Sequence, residues 1–192
     1  MTSYRDLTLQ LSALKPVLHL FGGVAEDLVL DDALDRSHGD VDVLVRRSEL
    51  PLRVEQARSL GFALAVYYEP LPGRPLILGG SSAGYDLELG VVDEDPSGFY
   101  FVAGDSEGNL QRVDVSADLL SYAPVLVDGA AVHVVSPLGL HQIRAAFQRL
   151  GTFGALREKD IVTQERLTRL LEEEGTDVSA PQMRRLTDVE PT

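Results

Sequence analysis

The chain has 192 residues, no cysteine, 44% hydrophobic residues and a formal charge of −13 at pH 7. Lack of cysteine excludes a disulfide framework and thiolate zinc sites, and lack of an apolar run of 18 residues predicts no transmembrane helix. The negative field is the wrong sign for the broad basic footprint of a nucleic-acid binder, so nucleic acid is not an expected partner, whereas a cationic small molecule would be attracted.

The start, Met1-Thr2-Ser3-Tyr4-Arg5-Asp6, has no basic region followed by an apolar block, so no signal peptide is expected and a cytoplasmic location is the simplest reading. Leu7, Leu9, Leu11, Leu14 and Leu18 predict a helix over 5–18, with Pro16 near its end. Residues 17–21 read as a strand running into a Gly22-Gly23 turn, and helical spacing resumes over 24–30. A helix N-terminus presents free N–H groups and a positive dipole end that suit phosphate, although such a turn is more often plain turn chemistry.

The stretch 40–46 alternates as a strand, and Ser48 and Pro51 then open a helix that Gly61 stops. Residues 62–68 read as a strand, followed by turn-rich loops at 69–75 and 79–84. A strand from Tyr85 to Val92 leads to an acidic loop at 93–98 and short β segments near 99–103, 110–115 and 131–135. Pro137 begins a helix through Leu150, residues 151–154 break it, and a last helix spans 155–174 before a polar tail. The fold class expected is α+β (α/β with a mixed sheet). Its parts are 1–135, a helical part at 136–175 packed on it, and the tail at 176–192.

Two strands carry the chemistry. Side chains alternate faces along a strand, so Asp40 and Asp42 emerge together while Val41, Val43 and Val45 turn to the core. Adjacent carboxylates repel and raise each other's pKa unless a cation compensates them, and Mg2+ favours such oxygen ligands together with substrate phosphates. Alone, Asp-Val-Asp more often marks a polar strand face. In the second strand Asp86 and Glu88 share a face, and if the two strands are neighbours Asp86 joins Asp40 and Asp42, which makes a two-metal phosphoryl-transfer centre feasible.

Gly22-Gly23, Ala25-Glu26-Asp27-Leu28 and Arg36-Ser37-His38-Gly39-Asp40-Val41-Asp42 resemble the opening of the small antibiotic nucleotidyltransferases of the DNA polymerase β-like superfamily. Lincosamide and aminoglycoside-2''-type adenylyltransferases are the members most alike. Asp86 matches that family's third acid and Lys159-Asp160 its Lys-Asp pair on a C-terminal helix, so the likeness covers about residues 15–172. It implies a polymerase β-like fold with C-terminal helices. It also implies transfer of AMP from ATP, or another nucleoside triphosphate, to a hydroxyl of a small molecule, an aminoglycoside-like or lincosamide-like antibiotic being the named class.

In this resemblance Asp40, Asp42 and Asp86 are the metal ligands and catalytic acids, with Asp86 accepting the hydroxyl proton. Gly22, Gly23, Arg36, His38 and Lys159 are the nucleotide-binding positions. His38 either orients Asp40, touches nucleotide or only fixes its loop, and Asp160 positions Lys159 or bonds to Arg157 or Arg144. Lysine is scarce, with only Lys15 and Lys159 among 17 basic residues, which makes Lys159 at the matching position less accidental. Tyr67, Tyr68, Tyr85 and Tyr100 offer stacking surfaces, with core packing as their default. Val24 in place of an aromatic, Glu88 in place of a His, and the acidic residues Asp31, Asp32 and Asp35 depart from the family pattern and bear on the acceptor. A toxin-type nucleotidyltransferase acting on tRNA or protein, and a non-catalytic nucleotide-binding module, are the alternatives. Some small relatives build the acceptor pocket across a dimer, which leaves a homodimer open.

Overall fold

A computed structural model gives the architecture and describes residues 3–34, 38–151 and 157–186. The longest strand, β5 (Tyr85–Asp95), organises the sheet. It lies parallel to β2 (Asp40–Arg46) on one side and antiparallel to β4 (Ile77–Ser82) on the other. At its far end it turns back into β6 (Gly98–Gly104). β1 (His19–Phe21) flanks β2, β3 (Ala65–Tyr68) flanks β4, and β7 (Leu110–Val115) follows β6. The sheet is therefore mixed. The parallel step from β2 to β5 is made through helix α3 (Leu50–Ser59) and the β3–β4 hairpin.

The other helices are α1 (Tyr4–Ser12), α2 (Gly22–Asp31), α4 (Pro137–Leu150) and α5 (Glu158–Glu173). Their ends follow their sequence. The Ser3 hydroxyl accepts from the Asp6 N–H at 3.1 Å to cap α1. The Ser136 hydroxyl does the same for Gly139 of α4, where Pro137 occupies the first turn, and Gly151 ends that helix at a φ of 67°. Leu20, Val24, Leu28, Val41, Val43, Leu87, Leu89, Phe101, Leu140 and Leu167 belong to one continuous buried core beneath the sheet and helices. Among the described residues no helix is long and apolar enough to cross a membrane.

Several local expectations give way to tertiary packing. The first helix stops at Ser12 rather than 18, because a helix does not continue through the residue before a proline and Lys15-Pro16 lies just ahead. The residues expected as a Gly-rich loop at 79–84 are mostly strand β4. A side chain at Gly79 would overlap the Tyr67 ring, and one at Gly80 the Ala63 carbonyl, so the glycines serve close approach rather than a turn. The acidic loop at 93–98 is instead the end of β5 and a tight turn, in which the Asp95 carboxylate accepts from the Ser97 N–H at 2.8 Å. Asp128-Gly129, both at positive φ, close a hairpin of β8 (Val125–Val127) and β9 (Ala130–Val132). Part of the expected polar tail is β10 (Gln182–Arg185), paired antiparallel to β7. In α3, Leu52 is exposed, and the helix is anchored by buried Arg53, which donates to the carbonyls of Pro16 and Val17 at 2.8 and 3.0 Å.

His19 on β1 faces His133 with ring centroids 5.7 Å apart, and burial, followed by that neighbour, draws its pKa from 6.5 down to about 4. Between those values the unfolded chain binds a proton that the folded chain refuses, so this site removes stability as pH falls from 6.5 towards 4. Urea unfolding at pH 6.5 and pH 4.5 should show the wild type losing more stability than His19→Gln, by at most about 3 kcal/mol. Equal losses in the two proteins would refute the assignment.

Candidate active site

Alternation along β2 and β5, combined with their register, assembles the site. Asp40 lies opposite Asp86 and Asp42 opposite Glu88, so four carboxylates form a square patch on one face of the parallel pair. Val41, Val43, Val45, Leu87, Leu89 and Val91 take the other positions and are buried. A shift of one residue would bury the acids instead, so the core fixes where the carboxylates emerge.

The patch is electrostatically crowded. Burial first, then Asp40, Glu88 and Glu26, push the Asp42 carboxyl well above the usual carboxylate range. Burial, Asp40 and Asp86 likewise raise Glu88. No Lys, Arg or His ion-pairs with any of the four among the described residues. Among the described residues the one hydrogen bond to these carboxylates is donated by the Ser81 hydroxyl to Asp86 Oδ1. Nor do any three His, Asp or Glu side chains among the described residues yet converge as a ready metal cage. Asp42 leans towards Gly22 while Asp86 is turned to Ser81. The donor set nevertheless fits a hard divalent cation: all oxygen, and ion-paired by no described residue.

Gly22 and Gly23 open α2 itself, rather than a turn ahead of a helix beginning at 24. Gly22 has a φ of +65°, and a Cβ there would overlap Asp42 Oδ2; a Cβ on Gly23 would come 3.1 Å from His38 Nδ1. The glycines thus admit the two side chains to the head of the helix. His38 Nε2 pairs with buried Asp27 of α2 at 2.8 Å, which fixes the segment entering β2. Arg36 lies outside the described residues.

On the opposite wall Asp160 of α5 accepts from Arg157 at 2.8 and 3.1 Å and pairs with Arg144 of α4 at 3.0 Å; Arg144 in turn holds buried Glu26 of α2. Arg157, followed by Arg144, keeps Asp160 well below the usual carboxylate range. Arg157 is largely exposed, and its charge senses Asp40 and Glu26. Lys159 sits one residue from Asp160, exposed and without a hydrogen bond or ion pair to any described residue. Arg157, which the family pattern does not single out, is therefore held in one orientation by Asp160, whereas Lys159 is not.

The tyrosines serve locally. Tyr67 covers Gly79, Tyr68 accepts from the Gly104 N–H at 2.7 Å, and Tyr100 lies beneath the Arg112 guanidinium at 3.6 Å. Tyr85 meets Tyr4 edge-on at 5.0 Å. Tyr4, unmarked by any pattern in the sequence, donates to the Gly39 carbonyl at 2.6 Å. Burial and the Asp86 and Asp40 charges raise its pKa, so α1 borders the acid patch.

No protein-family model matches the sequence, and no curated protein matches it by sequence. Solved structures match by fold. ANT(2'')-Ia in complex with adenylyl-2''-tobramycin superposes with a TM-score of 0.59 at 15% identity, over 84% of this chain and 83% of that one. The solution structure of the antibiotic-resistance factor ANT(2'')-Ia gives 0.58 at 16%, over 89% and 84%. The lincomycin-bound lincosamide antibiotic adenylyltransferase LnuA gives 0.51 at 14%, over 79% and 85%. The chain has the fold of these nucleotidyltransferases.

Gly22→Ala should destabilise the protein by about 2–4 kcal/mol, since it combines a left-handed backbone with the Asp42 overlap. Gly84→Ala, also at positive φ but facing open space, should lose only about 1 kcal/mol. In an Asp42→Ala background the Gly22→Ala loss should shrink towards the Gly84→Ala value. Denaturant melts of these variants measure it, and an unchanged loss would remove Asp42 from the head of α2.

Proposed function

We propose that the protein is a Mg2+-dependent nucleotidyltransferase that moves AMP from ATP to a hydroxyl of a small molecule, releasing pyrophosphate. The observation that carries this reading is the in-register pairing of Asp40 with Asp86, Asp42 beside it at the glycine head of α2, on the fold of two antibiotic adenylyltransferases. Under it, residues 1–135 supply the catalytic face and 136–175 the helical wall.

Asp40, Asp42 and Asp86 would hold the metal, which supplies neutralisation of the phosphates and lowers the pKa of the attacking hydroxyl. Asp86 accepts the hydroxyl proton once its carboxylate turns away from Ser81, as the acceptor oxygen bonds to the α-phosphorus and the bond to the pyrophosphate oxygen breaks. Arg157, held by Asp160 at the N-cap of α5, and Lys159 in the first turn of that helix would contact the phosphates, the guanidinium being the more firmly held of the two. Gly22 and Gly23 keep the head of α2 clear for Asp42 and the nucleotide.

Incubation with Mg2+, each nucleoside triphosphate and a panel of hydroxyl acceptors, antibiotics included, should release pyrophosphate and add a nucleotidyl mass to one small molecule. Asp40→Asn, Asp42→Asn and Asp86→Asn should each lower the rate by about 100-fold or more, and a chelator should abolish it. A nucleotidyl adduct on tRNA or protein would redirect the reading to a macromolecular target. Failure to bind any Mg2+–nucleotide would overturn it.

Arg157→Ala should raise the KM for the nucleotide by about tenfold, as expected for a lost charge-assisted contact, with Lys159→Ala costing less. The reverse order would return the phosphate contact to Lys159.

A further inference from the structure

A cavity of about 230 Å3 opens beside the acid patch and runs along the same sheet face towards α4. Asp40, Asp42 and Glu88 stand at one end. Its walls are Phe21 of β1, Leu44 of β2, Gly90 of β5, Phe101 of β6, and Ile143 and Phe147 of α4. Apart from the three acids, no lining side chain carries a hydrogen-bond donor or acceptor. The Gly90 backbone is committed to the sheet, between Leu44 and Ile77.

The lining discriminates between occupants. A nucleobase presents several donors and acceptors on its edges, and burying them unpaired is costly. A polycationic sugar would desolvate ammonium groups against phenyl and aliphatic walls for the same reason. An alkyl or aryl group has no such cost, and an apolar cavity of roughly 150 Å3 is already large enough for benzene. The reacting hydroxyl must sit at the acids, and the cavity begins there.

We propose that the cavity is the acceptor subsite for an alcohol bearing an alkyl or aryl arm, the arm lying between Leu44, Gly90 and Phe147 and the hydroxyl at the acid patch. This rests on the transferase reading and narrows its substrate: the acceptor is amphipathic rather than a polycationic aminoglycoside. Gly90 sets the depth of the subsite, because a Cβ there would meet Leu44 Cδ1 and Phe21 Cε1 at 3.4 Å and any larger side chain would project into the cavity.

The test titrates benzyl alcohol, with myo-inositol as the polar control, into wild type carrying 13C-labelled Ile and Leu methyl groups. Mg2+–ATP binding is measured on the same sample. Benzyl alcohol should shift the Ile143 and Leu44 methyls while myo-inositol does not, and Gly90→Val should weaken benzyl alcohol about tenfold or more while Mg2+–ATP binding is unchanged. If Gly90→Val fails to fold, Gly90→Ala, which adds one methyl, should weaken it in the same direction. Equal binding of benzyl alcohol by a folded Gly90 variant, or its displacement by adenosine, overturns the assignment. Benzyl alcohol binding without Mg2+–ATP binding overturns the transferase reading and leaves the apolar specificity standing; the opposite pattern overturns the subsite alone.

Discussion

The repulsion among Asp40, Asp42, Asp86 and Glu88 is the constraint around which the site is organised. Other buried acids in this molecule are matched by cations: Asp93 lies 2.7 Å from Arg47 and 2.8 Å from Arg74, Asp160 lies between Arg157 and Arg144, and Glu26 is bound by Arg144. The four carboxylates of the β2–β5 face have no such partner among the described residues, and burial and mutual proximity make Asp42 and Glu88 hold their protons more tightly. Among the described residues the buried acids elsewhere are paired and these are not, so this face is the one with unsatisfied negative charge.

Burial on the other face is what makes that arrangement affordable. Val41, Val43, Leu87 and Leu89 are nearly inaccessible and hold the register in which Asp40 meets Asp86. The glycine at position 22 is bound into the same constraint, because its missing side chain is the space Asp42 occupies. Core packing, strand register and a left-handed glycine therefore act together to set three carboxylate positions.

These features divide by how local their causes are. The period-two pattern of residues 40–46 reads directly as β2, and Ser136-Pro137 with Gly151 frames α4, because alternation and capping are properties of neighbouring residues. Alternation puts Asp86 on the polar face of its strand and family likeness sets it beside Asp40; the pairing itself is a long-range contact. Gly79-Gly80 has the local look of a turn, yet what demands glycine there is the Tyr67 ring and the Ala63 carbonyl, which adjacent sequence does not reveal. The Arg112–Asp114 surface of β7 gains β10 from a segment that looked merely polar, as edge pairing is made by backbone groups. His38 pairing with Asp27, and Tyr4 bordering the acids, are tertiary facts with no periodic signature.

Helix α4 joins the acid patch and the apolar cavity. Ile143 and Phe147, one turn apart, wall the cavity, while Arg144 between them reaches the other way to Glu26 of α2 and Asp160 of α5. Removing one member of a buried ion network leaves an uncompensated charge and costs several kcal/mol, so α4 has little freedom to slide relative to α2 or α5. Its apolar residues are thereby held against the sheet at a distance set by charges elsewhere on the helix. The depth of the cavity and the placement of Arg157 then share one origin, since Asp160 orients Arg157 with the same carboxylate that ties α5 to Arg144. The Arg157 side and the apolar side of the site are in this way adjusted together, and a change in one helix would be felt on both.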